Sequence, residues 1–224
     1  MARGDPSVQP APAVLAAPQI SLIGDIDQAS VERFLDQLRS AEQAGGDVAL
    51  EVTTLGGDPE MARRIVLEID AARARLDRRF LFLGKTVVYS AGATIMSAFP
   101  CRDRWLTPDA MLMIHGRKLD KTVEISGPIR ASLPTVKALL AQLETGIALE
   151  EENFRRLIHG CEIRIEELRE RALHNWYLTA EEALARRLVG AIWDPERDLP
   201  AGMATSGPGA SRGDGASCAT DGAG

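Results

Sequence analysis

A serine, a histidine and a pair of glycines are the residues of this chain whose types and settings could do chemistry together. Ser90 stands in Thr86-Val87-Val88-Tyr89-Ser90-Ala91-Gly92-Ala93-Thr94-Ile95-Met96, where a β-branched run breaks into small residues and becomes a helix-like apolar segment. A hydroxyl at such a break is exposed, and the first amides of the following helix lack intrahelical acceptors. The chain has only three histidines. His159 and His174 lie in helical or charged helix-boundary sequence, the setting of a solvated or capping imidazole. His115 closes the apolar run Met111-Leu112-Met113-Ile114, so it falls at a strand end, the usual address of catalytic groups in open α/β sheets. Gly56-Gly57 follows another strand-like run and offers backbone N–H donors.

Each residue also has a plain structural reading. A serine before a helix is most often an N-cap. A Gly-Gly turn between strand and helix needs positive φ whatever its function. What lifts them together is that all three fall at the C-terminal ends of successive strands, hence on one edge of a parallel sheet. A serine nucleophile, an imidazole base and backbone N–H donors meeting there are the parts required for acyl transfer.

The elements that must position them are legible in order. Ile20 to Ile23 is a short strand closed by Gly24-Asp25, and Ser30 is expected to cap a helix with Val31, Phe34, Leu35 and Leu38 inward. Val48, Leu50 and Val52 alternate as a second strand. Asp58-Pro59 then supplies an N-cap and first-turn proline for a helix burying Met61, Ile65, Val66 and Ile69. Phe80 to Leu83 and Val87 to Tyr89 read as strand, with Gly84 between them, and Ala91 to Phe99 as a helix stopped by Pro100. Met111 to Ile114 is a further strand after the Pro108-Asp109 turn. From Leu133 to about Gly160 the apolar spacing is helical over a long span. Thr179 with Glu182 makes a capping box for Ala180 to Arg187, and Val189 to Trp193 returns as a strand. Strands alternating with helices predict parallel βαβ units and an α/β fold.

Composition bounds the rest. A chain of 224 residues, 45% hydrophobic, is large enough for one good core and is expected to form a single domain over residues 19–199. Met1 to Pro18 and residues 200–224, rich in Pro, Ala, Gly and Ser, are expected to be flexible tails. A net charge of −6 without a basic cluster argues against a nucleic-acid partner. Ala13 to Ala17 is too short and proline-flanked for a secretory leader, and no run approaches the roughly 20 apolar residues of a membrane span. Cys101, Cys161 and Cys218 are odd in number and widely spaced, which points to a reducing, cytoplasmic setting rather than a disulfide framework or zinc site. No motif implies a metal or an organic cofactor.

Taken in order, several segments resemble the Clp protease proteolytic subunit family, serine peptidases of the crotonase-like fold. Ile20-Ser21-Leu22-Ile23-Gly24-Asp25-Ile26 is similar to the family's opening strand, and Thr54-Leu55-Gly56-Gly57 to its Ser-Pro-Gly-Gly turn. Tyr89-Ser90-Ala91-Gly92-Ala93 resembles its nucleophile segment, and Pro108 followed by Met113-Ile114-His115 the strand that delivers its histidine. Tyr177-Leu178-Thr179-Ala180-Glu181-Glu182-Ala183, continuing to Leu188-Val189, resembles its closing segment. The resemblance spans about Gln19 to Trp193.

It implies a repeated ββα spiral with a protruding handle helix in about residues 119–160. It further implies Ser90 as nucleophile, His115 as base, and the Gly57 and Ala91 amides as oxyanion hole. The implied partners are unfolded proteins or peptides and further copies of the chain in stacked heptameric rings. The family's aspartate corresponds to Asn175, which could still accept from the imidazole N–H but brings no charge. The turn after the histidine, Gly116-Arg117-Lys118, lacks the family's proline, and Leu119 to Glu151 is longer than the family's handle. Met1 to Pro18 does not resemble the axial loop through which the family docks a AAA+ unfoldase. The alternatives are a non-catalytic ring or scaffold subunit, and a Ser-Lys dyad peptidase using Lys85, Lys118 or Lys121. A crotonase-type acyl-CoA enzyme is disfavoured, because no carboxylate takes the place of Ser90 or His115.

Overall fold

The computed structural model describes residues 11–199. Among them seven strands form one sheet: β1 (Ile20–Ile23), β2 (Val48–Thr54), β3 (Phe80–Tyr89), β4 (Arg104–Leu106), β5 (Met111–Ile114), β6 (Trp176–Thr179) and β7 (Ala191–Ile192). The main path runs β1-β2-β3-β4-β7, all parallel, while β5 pairs with the far end of β3 and carries β6 on its other side. The β5–β6 pair is the antiparallel exception to the parallel expectation.

The sheet is forked because β3 changes partner along its length. Phe82, Leu83 and Gly84 pair with β4, whereas Val87, Val88 and Tyr89 pair with β5. Between these halves the register against β2 slips: Val52 faces Gly84, but Thr54 faces Val88. Lys85 to Val87 therefore bulge outward, and Thr86 takes a positive φ of 57° to do so. The Thr53 hydroxyl stitches the bulge by donating to the Lys85 carbonyl at 2.9 Å.

Both faces of this sheet are covered, which is why Phe80-Leu81-Phe82-Leu83 is a continuous apolar run. Leu50, Val52, Phe80 and Phe82 point into the main core with α1 (Gln28–Ala44), α2 (Pro59–Arg75) and α3 (Ala91–Met96). Ala49, Leu81 and Leu83 point the other way, onto Leu15, Trp105 and Trp193. Leu15 is wholly buried in the 3₁₀ turn Ala13–Ala16. Residues 11–18, expected as flexible tail, thus cover the second face. One leucine among alanines and prolines has no periodicity to betray that role. Residues 1–10 and 200–224 of the expected tails lie outside the described residues.

Helix boundaries follow the capping chemistry. Asp27, not Ser30, is the N-cap of α1; the Ser30 amide donates to Asp27 Oδ1 at 2.8 Å, and the Asp27 amide to Ser30 Oγ at 2.9 Å. Asp58 caps α2 with Pro59 at its first turn, and Thr179 and Glu182 form the expected box for α6 (Ala180–Ala185). α3 stops at Met96, before the expected Phe99. The long helix α4 (Ile129–Leu157) begins before the expected Leu133, with Pro134 inside it. Only Phe154 and Leu157 of α4 are buried. Ile129, Leu133, Val136, Leu140, Leu143 and Ile147 lie exposed at alternating spacings of four and three.

β4 and β6 were not legible as strands. β4 begins with Arg104, whose guanidinium is buried at 1% exposure. It donates to the carbonyls of Phe99 at 2.8 Å, Leu157 at 2.7 Å and Leu188 at 3.1 Å. The remaining elements are α5 (Ile165–Ala172) and α7 (Pro195–Asp198). Among the described residues, no helix is long and apolar enough to cross a membrane.

Removing Arg104 strands three buried carbonyls, each worth about 1–3 kcal/mol when left unpaired. Arg104→Ala is expected to lower unfolding stability in urea by at least ~3 kcal/mol. Arg102→Ala, at an exposed neighbour, should stay within about 0.5 kcal/mol of the parent.

Candidate active site

Ser90 follows β3 directly and holds the N-cap position of α3, but not as a cap. Its φ of 53° and ψ of −106° lie far from the extended backbone of ordinary caps, and its side chain makes no capping hydrogen bond. Such a conformation costs a non-glycine residue about 1–3 kcal/mol and persists only where the surroundings fix it. Here the Ser90 amide donates to Met113 O of β5 at 2.9 Å, and the Ser90 carbonyl accepts from the Thr94 amide at 3.1 Å. The hydroxyl is left free of intramolecular partners among the described residues.

Three glycines make room around it. A Cβ on Gly92 would come within 2.7 Å of the Thr54 methyl, so α3 can sit down on the sheet edge only with glycine there. Gly56 passes beneath Ser90, where a Cβ would lie 3.1 Å from that of the serine. Buried Thr54 shapes this turn, its hydroxyl accepting from the Gly56 amide and donating to the Gly56 carbonyl, both at 3.0 Å. Gly57 is tighter still: at φ 142°, a Cβ would meet Ile26 O at 2.3 Å. The contact arises because Ile26 donates to Gly56 O at 2.9 Å and accepts from the Asp58 amide at 2.7 Å. In that parallel pattern the N–H of Gly57 itself is not used by the neighbouring strand. Ala91, at the first position of α3, has an amide without an intrahelical acceptor.

Ser90, Ala91, Gly57 and His115 line one pocket of about 360 Å³. His115 is half-buried just past β5, with Nδ1 2.5 Å from the Gly116 carbonyl. A carbonyl only accepts, so Nδ1 carries the proton and Nε2 of the neutral ring keeps its lone pair. That is the tautomer a general base requires. Among the described residues neither Ser90 Oγ nor His115 Nε2 makes a hydrogen bond to protein, and none joins the two.

Asn175 stands elsewhere. The β5–β6 register pairs Ile114 with Trp176, so His115 and Asn175 would be the next pair. Instead Gly116 donates to Ala172 O at 3.1 Å, and Asn175 turns out in a left-handed conformation with φ 57°. It lines a separate hollow with Glu167, Glu170, Arg171, His174 and Trp176. The hydrogen bond expected of its side chain is made here by a backbone carbonyl.

The wall opposite Ser90 was invisible in the sequence. α4 supplies Leu149, Glu150, Asn153 and Phe154. Asn153 donates to Thr94 Oγ1 at 3.2 Å and accepts from Ser97 Oγ at 3.2 Å, tying α4 to α3. The Glu150 carboxylate accepts from the Arg117 amide and fixes the turn after His115. These residues sit one turn apart on one helix face, a signal of burial but not of what it faces. At the pocket mouth, the Arg117 guanidinium hydrogen-bonds Glu60 and holds that carboxyl below its usual range. Of the three lysines considered for a dyad, only Lys118 lines the pocket; Lys85 is paired with Glu51, and Lys121 donates to Gln142 at 3.4 Å. Among the described residues, no cluster of His, Cys, Asp and Glu is placed to hold a metal ion.

No protein-family model and no curated protein sequence matches this chain. Among solved structures, an asparagine-to-aspartate variant of ClpP1 from Listeria monocytogenes matches with a TM-score of 0.63 at 20% sequence identity. The match covers 78% of this chain and 90% of that one. The chain has a Clp-protease-like fold. At this identity the likeness is one of fold alone.

The two kinds of glycine constraint can be separated by substitution. Gly57→Ala, which drives a methyl into the Ile26 backbone, is expected to lose ~3 kcal/mol or more. Gly24→Ala, with φ 92° but open space around it, should lose only about 1 kcal/mol. Thermal or urea denaturation of the two variants checks the contrast.

Proposed function

We propose that the protein is a Clp-type serine peptidase, cleaving peptide bonds through an acyl-enzyme on Ser90. The observation that carries this reading is the free, half-buried Ser90 hydroxyl on a strained strand-to-helix turn, in one pocket with His115 and two uncommitted amides. His115 Nε2 takes the proton as Ser90 Oγ attacks the scissile carbonyl. The Gly57 and Ala91 N–H groups hold the resulting oxyanion, and each such donor is typically worth roughly 10²- to 10³-fold in rate. The imidazolium then returns the proton to the leaving amine, and water releases the acyl group by the same steps reversed.

The imidazole is oriented by the Gly116 carbonyl in the present arrangement, and by Asn175 once the β5–β6 ladder extends by one pair. Neither supplies a negative charge, so turnover is slower than with a carboxylate partner. Substrates are unfolded proteins or peptides laid along the segment after His115. The exposed stripe of α4 supports assembly: α4 acts as a handle against a second copy, in stacked heptameric rings. Docking of a AAA+ unfoldase is left without a matching N-terminal loop. The second reading, a non-catalytic ring subunit, is favoured by one observation only, the placing of Asn175 outside the Ser90 pocket.

A fluorophosphonate probe separates these readings. The parent chain is expected to label, Ser90→Ala to lose labelling entirely, and His115→Ala to label at least ~100-fold more slowly. Labelling that persists in Ser90→Ala would sink the nucleophile assignment. Labelling retained at full rate in His115→Ala but lost in Lys118→Ala would shift it to a dyad, and a folded parent that never labels points to the scaffold. Assembly has its own check: Leu133→Glu with Leu140→Glu on the exposed stripe should lower the sedimentation coefficient while leaving the helical circular dichroism unchanged.

A further inference from the structure

Past the C-terminal end of α3, further along α4 from the Ser90 pocket, lies a second hollow of about 790 Å³ whose lining is basic. Arg73, Arg102, Arg104, Arg155, Arg156 and His159 surround it, and among the described residues no carboxylate lines it. Arg155 and Arg156 are paired with Glu151 and Asp70, and Arg102 lies 3.8 Å from Asp103. Arg104 is different, being the buried cation held by three carbonyls and no carboxylate. The groups beside it that can carry a compensating negative charge are two thiols. Cys101 and Cys161, half-buried and 60 positions apart in sequence, bring their sulfurs to 2.8 Å, inside van der Waals contact. Arg104 Nη1 lies 4.0 Å from Cys161 Sγ.

We infer that Cys101 and Cys161 form a peroxide-reactive thiol pair, with Cys101 as the attacking sulfur and Cys161 as the resolving one. The assignment of roles follows from the surroundings. Cys101 sits at the mouth of the hollow, with the His159 carbonyl 3.2 Å away to accept from its thiol; ionised, it takes the S–H of Cys161. That hydrogen bond first, and the Arg104 charge after it, draw the Cys101 thiol down to about 6, while the same partner and burial push the Cys161 thiol up. Thiolates, not thiols, are the nucleophiles.

The chemistry balances with a hydroperoxide as the oxidant. The Cys101 thiolate attacks the outer peroxide oxygen, the O–O bond breaks, and the alkoxide or hydroxide leaves, giving Cys101 sulfenic acid. Cys161 sulfur then attacks the Cys101 sulfur. The S–S bond forms, the S–O bond breaks, and hydroxide departs with the Cys161 proton as water. The two thiols give up two electrons in all, and the peroxide receives them. The product ties the turn that follows α4 to the 3₁₀ turn Cys101–Asp103 that follows α3, clamping the two helices that wall the Ser90 pocket. None of this rests on Ser90 being a nucleophile.

The test uses the full chain, reduced, desalted and treated with hydrogen peroxide, then alkylated with N-ethylmaleimide and mapped by peptide mass spectrometry. The expected product is a Cys101–Cys161 linked peptide pair, two hydrogens lighter than the sum, with Cys218 alkylated. Peroxide-treated protein in which Cys101 and Cys161 are both still alkylated overturns the proposal, as does Cys101 halted at sulfinic acid beside an alkylated Cys161. In Cys161→Ser, dimedone should trap a sulfenic acid on Cys101. In Cys101→Ser, trapping on Cys161 should be at least ~10-fold lower, and equal trapping overturns the roles. The linked wild type should unfold at a higher temperature than the reduced protein, a shift absent in Cys161→Ser; linkage without that shift overturns the clamp.

Discussion

The bulge in β3 between Gly84 and Val88 is the constraint on which the site's geometry depends. Before it, β3 runs beside β4, with Gly84 opposite Leu106. Through it, the end of the strand is carried across to β5, so that the Ser90 amide meets Met113 O and His115 follows two residues later, just past the end of β5. Ser90 and His115 are thereby placed just past the ends of adjacent strands of one sheet, and their relative position is set by backbone pairing rather than by a long loop. Gly84 keeps the bulge compact. A Cβ there would lie 2.5 Å from a Leu106 methyl and 2.8 Å from a Val88 methyl.

The same rigidity explains how the chain sustains backbone strain at Ser90. The cost of its positive φ is small beside the burial of α3, whose Ala91, Ala93, Ile95 and Met96 all sit in the main core. Small residues on α3 let it lie close to the sheet, and closeness leaves the serine no relaxed alternative.

Much of this was legible from residue order. The Asp58-Pro59 helix start, the Thr179–Glu182 box and the strands around Leu50, Phe82 and Leu112 announce themselves through periodicity and capping chemistry, and the convergence of Gly57, Ser90 and His115 follows from their shared place at strand ends. What stayed hidden has a common cause: it depends on contacts distant in sequence. Arg104 reads as a surface charge until three far-off carbonyls claim it. Trp176 to Thr179 becomes a strand because β5 offers a free edge, not because its own pattern insists. Asn175 aligned with a catalytic position by order, yet two residues of backbone decide which way its side chain faces. Cys101 and Cys161, apart in sequence and in no motif, meet only because α4 ends where α3 has just stopped.

The buried guanidinium of Arg104 also bears on how the chain leaves its native state. Its three acceptors belong to the segment after α3, the end of α4 and the turn before β7. Withdrawing any one of those segments exposes the other two carbonyls to an ion that is still desolvated, so partial opening gains little of the entropy that would reward it. The long helix α4, the short helix α3 and the closing strand β7 are thus bound into one cooperative unit. Fraying at the exposed start of α4 can proceed turn by turn, but it halts before Leu157, beyond which the three segments come apart together.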